Sequence, residues 1–137
     1  MDDTNSRQMG ASDSPSSDLT SAGGSIRVLL VEDQVELRAL LSDVLQDAGM
    51  EVRIAEDAHS AKVILEDFPC DVLVSDVHMP GSENGIDLAE HLKRSRPQAR
   101  VILASGHPPR QLPSLPGYAH FLQKPFRLNQ LMQLLAA

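Results

Sequence analysis

The chain has 137 residues, 42% of them apolar, and a formal net charge of −7. That length suits one domain with one hydrophobic core, and an acidic balance without any basic cluster excludes a nucleic-acid-binding surface. A single cysteine, Cys70, excludes an internal disulfide and fits a reducing cytoplasm; no apolar run approaches the ~20 residues of a membrane span, and Met1-Asp2-Asp3 does not open a secretory signal.

Residues 1–25 hold seven serines and four aspartates and hardly any large apolar side chain. Such a stretch cannot bury enough surface to offset its ordering entropy, so a disordered tail is expected there. The folded part is expected over 26–137.

"IRVLLVED" is an apolar run ending in two acids and reads as a buried strand. In "QVELRALLSDVLQDAG" the residues Leu37, Leu40, Leu41, Val44, Leu45 and Ala48 fall on one helical face, with Gly49 as the C′ residue. "EVRIA" alternates as a half-buried strand. "DAHSAKVILEDF" places Ala58, Ala61, Leu65 and Phe68 on one helical face, with Asp57 as N-cap. "DVLVSD" is a further buried strand, entered past Cys70. "GIDLAEHLKRS" is a short helix and "RVILAS" a fourth strand. The stretch "ASGHPPRQLPSLPG" then holds four of the chain's nine prolines, at 108, 109, 113 and 116, which leaves room for about one helical turn. "AHFLQ" is a brief fifth strand. "FRLNQLMQLLAA" closes as a helix with Leu128, Leu131, Met132 and Leu135 on one face.

Strands alternating with helices imply βαβ units and a parallel sheet covered on both faces. In such sheets ligands bind beyond the carboxyl ends of the strands. Strand 1 ends in Glu32-Asp33, strand 3 in Asp76, strand 4 in Ser105, and strand 5 in Lys124 followed by Pro125. Any one of these alone is an ordinary turn or cap residue. Together they put three carboxylates, a hydroxyl and an ammonium on one rim. Three crowded carboxylates repel one another unless a cation sits among them. An oxygen-only set suits a hard cation such as Mg²⁺, which keeps positions for phosphate oxygens. Lysine and hydroxyl can hold further phosphoryl oxygens, so the set reads as a phosphoryl-transfer site with a carboxylate nucleophile.

"LLVEDQ", "VLVSDVHMPG", "VILASG" and "FLQKPF" resemble the four motif blocks of response-regulator receiver domains of two-component signalling, over residues 26–137. The resemblance implies a flavodoxin-like five-stranded parallel sheet in the order 2-1-3-4-5, here with the helix between strands 4 and 5 short or absent. It implies that Asp76 accepts phosphate from a histidine kinase or histidine phosphotransfer protein. Asp33 is implied as a direct Mg²⁺ (or Mn²⁺) ligand, Glu32 as its companion through water, and the backbone carbonyl of His78 as a third protein contact. Ser105 matches the switch hydroxyl, Lys124 the phosphate-pairing lysine, Phe121 the aromatic switch position, and Pro125 a proline whose preceding bond is typically cis.

Three features depart from the family pattern. The loop "GSEN" between Pro80 and Gly85 has four residues where three are common. His78 stands two residues past Asp76. The proline stretch replaces a helix, which alters the usual output surface. The histidines at 59, 91, 107 and 120 show no metal-ligand spacing. A phosphatase of the haloacid-dehalogenase kind would want an aspartate where His78 stands, and a pseudo-receiver would not need all five site side chains. The expectation is therefore a single-domain cytoplasmic response regulator, a phosphoacceptor that assists its own phosphorylation and dephosphorylation. The alternative is a receiver cut from a hybrid kinase. It should be a monomer or weak dimer, without nucleic acid or membrane partners, that signals to an unknown downstream protein or shuttles phosphate. Gln34, Val35, Arg38 and Pro125-Phe126 are the expected kinase-docking surface.

Overall fold

The computed structural model of the chain describes residues 25–136. The tail expected over 1–25 lies outside them, Ser25 aside. Five strands alternate with helices: β1 (Arg27–Val31), α1 (Val35–Asp47), β2 (Glu51–Ala55), α2 (Ala58–Leu65), β3 (Val72–Asp76), α3 (Gly85–Ser95), β4 (Arg100–Ser105), β5 (Ala119–Gln123) and α4 (Leu128–Ala136). The strands pair in parallel in the order β2-β1-β3-β4-β5, the doubly wound arrangement expected.

Alternation along the central strands builds two cores. Leu29, Leu73, Val101 and Leu103 face α2 and α3, where Ala61, Leu88 and Leu92 meet them. Val28, Leu30, Val74 and Ile102 face α1 and α4, where Leu41, Leu45, Leu131 and Leu135 meet them. Each fully buried leucine contributes roughly 1.5–3 kcal/mol. A one-residue slip of any central strand would exchange its two side-chain sets, so both cores fix the register that aligns the strand ends.

The helix ends follow their sequence signals. Gly49 sits at φ 92°, its N–H donating to the Gln46 carbonyl at 2.9 Å while that of Met50 donates to Leu45 at 3.1 Å. This is a Schellman close, which needs the left-handed residue that glycine supplies. Asp57 caps α2, accepting the Ser60 N–H at 2.8 Å. Asn84 and Asp87 form a reciprocal capping box at α3, each accepting the other's N–H at 2.9 Å. The Arg100 guanidinium donates to the carbonyls of Leu134 and Leu135 at 2.8 Å, satisfying the end of α4 from the sheet.

Three expectations need correction. Helix α2 stops at Leu65, because Phe68 precedes Pro69 and is pushed out of the helical region; its ring still buries in the core. Leu40, expected on the buried face of α1, is 60% exposed, since only Leu41 and Leu45 of that stripe point squarely at the sheet. Strand β2 is an edge, and its alternation is mostly solvated, with Ile54 exposed.

The proline stretch forms one 3-10 turn, Pro109–Gln111, and is otherwise irregular. It is nonetheless packed. Leu112 and Leu115 press against the α2/α3 core, and the Lys93 ammonium lies 5.0 Å from the Tyr118 ring centroid. Two leucines thus cover the sheet where a helix would otherwise lie.

Candidate functional site

Every rim residue named from the sequence arrives at one end of the sheet, because all five strands run the same way. Asp76 closes β3 and is 6% exposed; Glu32 follows β1 and is 3% exposed; Ser105 closes β4 and is buried. Asp33 stands exposed beside them. Carboxylate oxygens of Glu32, Asp33 and Asp76 lie within 4.8 Å of one another. Lys124 answers two of the three charges. Its Nζ lies 2.5 Å from Asp76 Oδ1 and donates to Glu32 Oε1 at 2.8 Å.

Burial pushes the Asp76 carboxyl up to about 7, and the Glu32 carboxylate beside it pushes the same way while Lys124 opposes both. Burial also disfavours the Lys124 ammonium, but its hydrogen bonds to Asp76 and Glu32 outweigh that and raise it. One lysine thus faces three acids and pairs with two of them, so the site holds more negative charge than it can balance. This donor set, all oxygen and under-neutralised, fits a hard divalent cation.

The backbone around Asp76 is held closely. Ser75 Oγ donates to the Asp76 carbonyl at 2.8 Å, and the Gly85 N–H donates to the Val77 carbonyl at 2.7 Å. A Cβ on Gly85 would lie 2.0 Å from the Asp76 carbonyl oxygen, so α3 begins against the strand end on the strength of a missing side chain. The four-residue loop before it is anchored: Glu83 accepts two hydrogen bonds of 2.7 Å from Lys62 of α2.

Ser105 Oγ accepts the backbone N–H of His107 at 3.0 Å. Gln123 steadies the same turn by donating to the Gly106 carbonyl at 3.2 Å. His78 is exposed just past Asp76, and its ring meets that of His107 edge-on, with centroids 5.1 Å apart. The Lys124–Pro125 bond is cis, as expected. Phe121 is half-buried on β5, opposite Leu103, and so lies on the face of the proline stretch rather than in the rim.

A cavity of about 650 Å³ opens from the carboxylates along α1, walled by Leu37, Leu40, Val44, Phe126 and Leu128. The sequence assigns Phe126 to this rim but the leucines to the core, because their helical spacing reads equally well as core. His107, weighed in the sequence only as a metal ligand, bonds Ser105 through its backbone N–H, and its place two residues after Ser105 is a local signal for that. Nothing in the sequence marks Gly85 as a close contact. Of the expected docking residues, Gln34 and Val35 are exposed, whereas the Arg38 guanidinium turns inward and donates to the Glu32 carbonyl at 2.9 Å.

The family model of the response regulator receiver domain matches residues 28–136. A response regulator described as NtrX-like from Rickettsia bellii is 30% identical over 114 residues, 80% of this chain and 24% of that protein. The transcriptional regulatory protein DctD of Pseudomonas aeruginosa is 36% identical over 110 residues, 77% of this chain and 23% of its own. The chain thus spans about a quarter of the length of these curated relatives. Among solved structures, the chemotaxis response regulator CheY4 of Vibrio cholerae is 30% identical with a TM-score of 0.70, covering 82% of this chain and 97% of that one. TrrA of Thermotoga maritima, solved in complex with Mg²⁺ and BeF, is 25% identical with a TM-score of 0.72, covering 81% and 96%. The family-model match over nearly the whole described fold, with a sheet in the order β2-β1-β3-β4-β5, places this chain in the response-regulator receiver domain family of two-component signalling.

Proposed function

We propose that the chain is a phosphoacceptor and that Asp76 is the residue modified. The observation that supports this is the buried Asp76 carboxylate, paired with Lys124 and crowded by Glu32 and Asp33 at the mouth of an open cavity. A carboxylate oxygen of Asp76 attacks phosphorus, and the donor bond to phosphorus breaks with its electron pair leaving on the donor. The product is an acyl phosphate. Lys124 is positioned to pair with the added negative charge, and Ser105 to exchange its bond to the His107 N–H for one to a phosphoryl oxygen. Asp33 and Asp76, with Glu32 beside them and the His78 carbonyl, would hold Mg²⁺ or Mn²⁺, which disperses charge on the phosphoryl oxygens.

The donor is proposed to be a histidine kinase or a histidine phosphotransfer protein. The histidine kinase ThkA has been solved in complex with TrrA, which is similar to this chain. Exposed Leu40, together with Pro125 and Phe126, offers the apolar wall beside Asp76 on which such a partner would dock, and Val35 stands exposed on the same helix. Output is proposed to pass through protein contacts or onward phosphotransfer. The direct test incubates the chain with acetyl phosphate or beryllofluoride and Mg²⁺, and follows the modified or liganded species by mass and by NMR. Wild type should respond and Asp76→Asn should not. Equal responses would remove Asp76 as acceptor.

A further inference from the structure

We infer that Arg38 is a positioning residue for the acidic pair Glu32–Asp33, acting through the main chain. This rests on the reading of the rim as a divalent-cation site and adds to it a residue that touches neither cation nor phosphate. Glu32 lies where the sheet lets go of β1. Its N–H still donates to the Ala55 carbonyl of β2 at 3.0 Å. Its own carbonyl has passed the last strand pair and needs another donor, because a backbone acceptor buried without one is costly.

Arg38 supplies that donor. It stands in the first turn of α1, its own N–H bonded to the Gln34 carbonyl at 2.9 Å, and its guanidinium reaches back to the Glu32 oxygen at 2.9 Å. The Glu32 side chain is pinned separately, by Lys124 at 2.8 Å and by the Gln34 N–H at 3.1 Å. Each polar group of Glu32 therefore has a partner, and the one on the Glu32–Asp33 peptide is Arg38. That peptide carries Asp33, so its rotation sets where the Asp33 carboxylate points. The guanidinium addresses a carbonyl rather than a carboxylate. Its role is to fix orientation, and its loss should loosen the acids without leaving an unpaired buried charge.

The test uses Arg38→Met, which keeps the apolar stem and removes the donors, with Arg38→Lys as the conservative variant. Mg²⁺ binding is measured by calorimetry and Mn²⁺ binding by electron paramagnetic resonance, without donor or partner. Arg38→Met should bind Mg²⁺ about 10-fold more weakly, the order found when residues behind metal ligands are removed, and Arg38→Lys should recover part of that loss. Phosphorylation by acetyl phosphate should need more Mg²⁺ but reach the wild-type rate at saturation. Binding by Arg38→Met within twofold of wild type would overturn the assignment, as would a rate loss that saturating Mg²⁺ does not restore. Asp33→Asn is the control. If it too leaves Mg²⁺ binding unchanged, the reading of the rim as a cation site fails, which is a separate result from failure of Arg38 alone.

Discussion

Replacing Asp76 by asparagine should stabilise the cation-free protein, and by an amount that grows with pH. The folded state holds the Asp76 carboxyl at about 7 against 3.8 when free, chiefly through burial and then through Glu32. Between those values the native chain keeps a proton that the unfolded chain has released, so wild-type stability falls as pH rises through the window and levels off above it. A shift of about three units at roughly 1.4 kcal/mol each bounds the cost near 4 kcal/mol at neutral pH. The pull of Lys124 is already contained in that shift; what offsets part of the gain is the asparagine amide, itself a buried polar group beside a lysine left with Glu32 at 2.8 Å. The expected gain is about 2–3 kcal/mol at about pH 7.5, and about 2 kcal/mol less near pH 5. At roughly 4 °C per kcal/mol, thermal unfolding in chelator should place Asp76→Asn on the order of 10 °C above wild type at the higher pH. Adding Mg²⁺ should narrow the gap by stabilising wild type preferentially. A variant no more stable than wild type at neutral pH, or a gain independent of pH, would refute the reasoning.

Gly85→Ala should destabilise by about 1–3 kcal/mol and slow acetyl-phosphate labelling of Asp76, since its Cβ would lie 2.0 Å from the Asp76 carbonyl; denaturant unfolding and labelling rates check the two effects together. Leu40→Asp should leave stability within about 0.5 kcal/mol and acetyl-phosphate labelling unchanged, because the side chain is 60% exposed, while slowing transfer from a phosphorylated histidine kinase. Glu83→Gln should cost at most about 1 kcal/mol, as its bond to Lys62 is half-exposed, but should raise hydrogen exchange in the loop before α3. Leu115→Ala should cost about 1–2 kcal/mol by chemical denaturation; no loss would mean that the proline stretch does not cover the core.

The architecture was legible because central strands of a parallel sheet announce themselves: "RVLLV" and "RVILA" admit few other readings, and a chirally constrained βαβ chain then brings their ends to one rim. Asp76, Glu32, Asp33, Ser105 and Lys124 could be gathered for that reason alone. Residues whose contribution is a direction or an absence were not legible. Arg38 on an exposed helical turn looks like a surface charge until its guanidinium is seen to turn back on the strand. Gly85 looks like a helix starter until the carbonyl of Asp76 is found against it. Leu40 shares its spacing with Leu41, and the 3.6-residue period cannot say which edge of an apolar stripe the sheet reaches. Helix α2 ends early because of the proline after Phe68, a local signal that runs against the apolar periodicity.

An irregular segment is not a slack one. Between Ser105 and β5 the chain is packed against the core twice, at Leu112 and Leu115, so the span left outside the core is the short piece from Gly106 to Gln111 that begins just after Ser105. A rotation at Ser105 acts on a tether of six residues with a fixed far end, not on a rigid rod that swings as one body. The displacement must be absorbed inside that tether, next to His107 and the mouth of the cavity. In this chain the record of an event at Asp76 would be kept beside the site itself, where whatever visits the cavity meets it.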